Sequence, residues 1–146
     1  MRTALNIFIA MLTLGTLLGF APKQAFADTI TVEVRSIVAS TEGDVFDSRL
    51  DDLKRKLQKA FRGYKSFKQV GKRSLRFKED KAKSMPLPNG TELTLTYHGM
   101  AGDLIKLGLT IAGKMSTTLR ASPGSTFFQA GMEHPDGMLI LAITVK

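Results

Sequence analysis

The sequence predicts an α+β domain in which one amphipathic helix packs on an antiparallel, mostly meandering sheet. Three observations predict it. Apolar and polar residues alternate over most of the chain beyond residue 28, as in half-buried strands. One stretch, from Ser48 to Arg62, changes to the 3.6-residue period of a helix. The connections are short and rich in Gly, Pro, Asn and Ser, which favours antiparallel neighbours. These patterns leave open whether the sheet closes into a sandwich or a partial barrel.

At 146 residues, with 43% apolar and 23% charged side chains, the chain has room for a single packed core and an ordinary globular composition. It contains no Cys, which excludes disulfides, thiolate metal sites, a Cys nucleophile and a lipidated N-terminal Cys. Residues 1–27 stand apart. Arg2 gives a positive start, Ala4 to Phe20 is mainly apolar, and Ala25-Phe26-Ala27 forms an A-x-A cleavage pattern. These are the parts of a secretory signal peptide. The apolar run carries Asn6, Thr13 and Thr16 and falls short of the roughly 20 residues that span a bilayer. The expectation is a cleaved signal over 1–27 and a single domain over 28–146. The mature protein would be bacterial and periplasmic or otherwise secreted, with no transmembrane segment.

Within that domain, Thr29 to Ala39 alternates Ile30, Val32 and Val34 against Thr31, Glu33 and Arg35, which predicts a strand with one wet face. Ser40 to Asp47 is a polar connection. Leu50, Leu53, Leu57, Ala60 and Phe61 then fall within an arc of about 100°, predicting a helix over 48–62. Ser48 with Asp51 reads as a capping box, Asp51 to Arg55 and Asp52 to Lys56 as i,i+4 ion pairs, and Gly63 as the C-terminal stop. Tyr64–Val70 and Lys72–Lys78 read as strands around Gly71, and Met85–Gly90 as an extended edge segment closing in a turn. Thr91–His98 and Leu104–Ile111 form a hairpin, and Met115–Ala121 and Thr126–Met132 continue the meander. Met138–Val145 is apolar on both parities, as a strand covered on both faces would be.

No motif carries catalysis. Gly108 to Lys114 satisfies G-x-x-x-x-G-K, but Met115 stands where a Mg²⁺-binding hydroxyl belongs, and the stretch continues a strand alternation. Arg62-Gly63-Tyr64-Lys65-Ser66-Phe67 opens like an RNA-recognition signature, yet Lys65 and Ser66 break it; Tyr64 and Phe67 are expected to seat the helix end on the core. His98 falls on a polar strand parity and His134 in a turn string, with no further ligands at metal-binding spacing. The expectation is therefore a protein with no catalytic set, no metal and no cofactor, for which nucleic acid is not a partner. A hydrolase with dispersed residues is the outsider.

The charge distribution is unusual. Between Arg49 and Lys83 there are 14 basic and 4 acidic residues, whereas the rest of the chain beyond residue 27 holds 5 basic and 9 acidic. Arg55, Lys59 and Arg62 project opposite the apolar arc of the helix, and Lys72, Arg76 and Lys78 share one strand parity. If helix and strand are neighbours, these six form one candidate basic binding face. It would dock an envelope protein partner or, alternatively, anionic lipid or lipopolysaccharide; the bland reading is a solvated face.

The stretch Leu50-x-x-Leu53-x-x-x-Leu57-x-x-x-Phe61-x-x-Tyr64-x-Ser66-Phe67, followed by alternating basic and apolar residues, resembles a segment of small exported bacterial proteins of uncharacterised function. Gly137 to Ile143 is similar to their last strand. The resemblance implies export and an α+β fold, and no activity. The leading expectation is thus an exported, non-catalytic interaction or assembly protein of the cell envelope.

Overall fold

The computed structural model describes residues 29–146; the expected signal peptide lies outside the described residues. The strands are β1 (Thr29–Ser40), β2 (Ser66–Lys78), β3 (Ala82–Pro86), β4 (Glu92–Ala101), β5 (Leu104–Ile111), β6 (Met115–Ala121), β7 (Thr126–His134) and β8 (Gly137–Val145). They form two antiparallel sheets, ordered β2-β1-β8-β7 and β3-β4-β5-β6. The fold is α+β: the sheets face each other as an unclosed sandwich, and the helical segment covers the outer face of the first sheet.

Two cores follow from strand alternation. Val32 and Val34 of β1 and Leu139, Leu141 and Ile143 of β8 meet Leu93, Leu95, Leu107 and Leu109 of the second sheet. The opposite parity, Ile37 and Ala39 of β1 with Ile140 and Ala142 of β8, joins Phe67 beneath Leu50, Leu53 and Leu57. This two-sided burial explains why β8 is apolar on both parities.

β1 corrects the expected wet face. Glu33 and Arg35 are buried, because β1 lies between β2 and β8 and its outer face is covered by the helical segment and by charge partners. The helix is also shorter than expected. Ser48–Leu53 is a 3₁₀ turn and only Lys54–Ala60 (α1) is α-helical. The tighter winding has a packing reason: at three residues per turn Leu50 and Leu53 lie one above the other, and both reach the sheet. The N-cap is Asp47 and not Ser48; its carboxylate accepts from the Arg49 N–H at 3.0 Å. Among the described residues neither Asp51 with Arg55 nor Asp52 with Lys56 comes within ion-pairing distance, since Asp52 turns inward to Arg35. Ala60 is exposed, outside the core.

Residues 66–78 form one strand, not two, interrupted by a bulge: Ser36 opposes Gly71 and Ile37 opposes Gln69, leaving Val70 extra. The β4–β5 hairpin closes at Gly102-Asp103, tighter than the sequence suggested, with Gly102 at φ 63°. Tyr64 and Phe67 do seat the helix end. Phe67 is buried, and the Tyr64 hydroxyl donates to the Met138 sulfur at 3.5 Å.

Candidate functional site

The bulge at Val70 decides which way the basic residues of β2 point. Before it, Phe67 faces the helix; after it, Leu75 and Phe77 face the sandwich. In the register Thr31 opposes Arg76 and Arg35 opposes Lys72, so Lys72, Ser74, Arg76 and Lys78 stand on the helix side of the first sheet. All four are exposed.

The corner where β2 turns into β3 concentrates the charge. Thr29, Arg76, Phe77, Lys78, Lys81 and Lys83 line a cavity of about 440 Å³, with four cations and no acid among them. The Lys83 ammonium lies 5.8 Å from the centre of the Phe77 ring. At the opposite end of β1, Glu42, Glu133 and Asp136 line a cleft of about 680 Å³ with Tyr64. The charge asymmetry of the sequence is thereby laid out along β1, whose 12 residues separate a basic corner from an acidic end.

Between the basic corner and the helix lies a charge network centred on buried Arg35 and Glu33. Arg35 grips Asp52 with two nitrogens, Nη1 to Oδ1 at 2.9 Å and Nη2 to Oδ2 at 2.6 Å, and Nη1 also donates to the Arg49 carbonyl at 3.4 Å. Its Nε stands 3.2 Å from Glu33 Oε1 without hydrogen-bond geometry. The other Glu33 oxygen faces Lys146 at 3.1 Å and Lys72 at 3.9 Å. The Arg35 hydrogen bond holds the Asp52 carboxyl below the usual carboxylate range despite opposing desolvation. Asp47 is held lower still, by the Arg49 side chain foremost and by backbone N–H groups of Arg49 and Gln69. Fork-to-fork pairing of this kind fixes geometry, so the network pins the helical segment to β1.

Arg55, Lys59 and Arg62 share a shallow concavity of about 540 Å³ on the outer helix surface with Asp51, Lys54 and Gln58. Both basic trios are thus on the helix side of the first sheet. Between them lie Asp52, Arg35 and Glu33, with Arg35 paired to both acids. Lys81 and Lys83 belong to the basic segment of the sequence but lie outside the six residues of the expected face. Their signal was the alternation of Lys81 and Lys83 immediately after a strand rich in cations.

Gly108–Ile111 belongs to β5, and Gly113 sits in the turn that follows, at φ 70°; no helix opens there. His98 and His134 lie in different sheets, on β4 and β7, and His134 Nδ1 accepts from the Asp136 N–H at 3.1 Å. Among the described residues no three His, Asp or Glu side chains converge as a metal site requires. Nor is any described helix long and apolar enough to cross a membrane. The chain matches no protein-family model, no curated protein and no solved structure at a significant level.

Proposed function

We propose that this is an exported, non-catalytic protein of the bacterial periplasm or cell envelope that docks an acidic partner protein through the helix side of its first sheet. The observation that carries the reading is the cavity at the β2–β3 corner, whose lining gathers Arg76, Lys78, Lys81 and Lys83 with no acid among the lining residues, while Glu79 and Asp80 occupy the intervening turn. Lys72 extends that surface along β2, and Arg55, Lys59 and Arg62 supply a second contact on the same side.

The test compares the wild-type chain with two reversal variants, Arg76→Glu/Lys78→Glu and Arg55→Glu/Lys59→Glu/Arg62→Glu, in affinity capture from envelope extract. All five side chains are exposed, so each change should cost about 0.5 kcal/mol or less and melting should be nearly unaltered. A defined protein held by the wild type and lost by the first variant supports docking. Recovery of anionic polymer alone, released by salt, rejects it.

A second reading rests on the same corner: a cavity of about 440 Å³ lined by aliphatic stems, one ring and four cations also suits an anionic headgroup or a lipopolysaccharide phosphate. Titration with anionic vesicles at two ionic strengths separates the readings, because headgroup binding should fall steeply with salt.

A further inference from the structure

β2 is an edge strand, and its two halves are treated differently. Over the first half the edge is closed. The Phe67 N–H donates to the Val45 carbonyl at 3.0 Å, and the Asp47 N–H donates to the Phe67 carbonyl at 2.9 Å. Gln69 is closed by side chains: its N–H donates to Asp47 Oδ2 at 3.0 Å, and its carbonyl accepts from Arg49 Nη2 at 2.9 Å.

Beyond the bulge the edge is open. Thr31 exchanges backbone hydrogen bonds of 3.1 and 2.8 Å with Lys146, which continues β8, so the odd-numbered residues of β1 bond toward β8 and the even-numbered ones toward β2. Ile30, Val32, Val34 and Ser36 therefore engage Phe77, Leu75, Arg73 and Gly71. Lys72, Ser74 and Arg76 turn their N–H and C=O groups outward, where no described residue meets them. The other edges differ: β3 has five residues and ends at Pro86, β7 is broken by a bulge, and β6 carries a single cation, Arg120.

We infer that the open edge of β2, from Lys72 to Arg76, receives an extended acidic segment of the partner protein as an additional strand of the first sheet. The inference rests on the docking reading above and names the partner's chemistry. Basic residues on an edge guard against pairing between copies, since a second β2 would bring Lys72 and Arg76 against like charges. The same residues attract a strand with carboxylates at alternate positions, which strand geometry sets on one face beside Lys72, Arg76 and Lys78. Glu33, 3.9 Å from Lys72, is already ringed by Arg35, Lys72 and Lys146 and offers little repulsion.

The probe is a capped octapeptide of alternating Glu and Val, with alternating Lys and Val as control. On binding, the amides of Lys72, Ser74 and Arg76 should gain at least tenfold protection from hydrogen exchange, while those of Arg73 and Leu75, already bonded to β1, should not change. Ser74→Pro removes an outward N–H at an edge position that tolerates proline and should weaken binding at least tenfold with every cation retained. Arg76→Glu/Lys78→Glu should abolish it. Three results would overturn strand addition: undiminished binding by folded Ser74→Pro, peptide binding without protection of the outward amides in the wild type, or no peptide binding at low salt. Protection of those amides by phosphatidylglycerol vesicles and not by peptide would also overturn it, in favour of a lipid surface. The first two would leave docking through side-chain charge standing, so they separate this inference from the broader reading.

Discussion

Leu57→Ala tests the helix-to-sheet core. Leu57 is fully buried and is the only core side chain that α1 contributes. Removing about three methylene equivalents at about 0.8 kcal/mol each sets a floor near 2.4 kcal/mol. The cavity term adds to this, because the floor of the site is built from Ile37 and Ala39 of β1 and Ile140 and Ala142 of β8, adjacent strands of one sheet that cannot collapse inward independently. A seven-residue helix without a side-chain N-cap bond has little stability of its own to offset the loss. The expected cost is about 3 to 4 kcal/mol, a large fraction of a stability of about 5 to 15. The assay is urea unfolding monitored by circular dichroism, together with the two tyrosines. Tyr64 packs against the helix-side core and Tyr97 lies in the sandwich core. Tyr64 should report the loss first if the helical segment detaches before the sandwich melts. A midpoint shift worth less than about 1 kcal/mol at unchanged m would refute the packing argument.

Other perturbations follow from the charge network and the backbone. Asp52→Asn removes the charge partner of buried Arg35 and should cost about 1 to 2 kcal/mol, less than a fully buried pair because the Asp52 side chain is 59% exposed. Asp47 and Asp52 both have depressed folded-state pKa values, so the stability they contribute is fully present above the unfolded Asp pKa of about 3.9 and is lost as pH falls through the folded values. Denaturation midpoints should therefore decline below about pH 4, less steeply in Asp52→Asn; a flat acid limb would contradict the pairing. Gly137→Ala should cost about 2 kcal/mol or more in thermal melts, because φ is 151° and an added Cβ would run into the Ala39 carbonyl oxygen, which is backbone and cannot swing away. Gly90→Ala, at φ 83° with open space around it, should cost only about 1 kcal/mol.

Much of this architecture was legible because its elements have local causes. Leu104–Ile111 alternates cleanly and is β5 to the residue, and the double-parity apolar run of Met138–Val145 announced a strand buried on both faces. What escaped was non-local. Thr31, Glu33 and Arg35 have the polar spacing of a wet face, and nothing near them in sequence reveals that Asp52 and Lys146 arrive to satisfy them. The 3₁₀ start of the helix escaped for a related reason: spacings of three and four residues are both present, and only the position of the sheet decides that Leu50 and Leu53 stack. The basic face was half legible. Parity placed Lys72, Arg76 and Lys78 together, but the turn that brings Lys81 and Lys83 to the same cavity is tertiary.

The bulge at Val70 links the fold to its charged surface. In an uninterrupted strand, the parity that sends Phe67 and Gln69 toward the helix would continue through Leu75 and Phe77. Those two apolar residues would then lie on the outer face, and Lys72, Arg76 and Lys78 would point into the sandwich, where unpaired charge is prohibitive. One extra residue lets β2 feed Phe67 to one core and Leu75 and Phe77 to the other, with Lys72, Arg76 and Lys78 on the helix side. The bulge also divides the closed edge from the open one, because the Asp47 and Arg49 side chains reach only as far as Gln69. Side-chain direction and backbone direction are coupled in a strand, so the residues that place cations on the helix side are also those whose backbone groups face away from β1. Charge and unpaired hydrogen-bonding groups therefore coincide at Lys72 and Arg76, a pairing that solubility alone does not require and that an acidic strand would use in both respects.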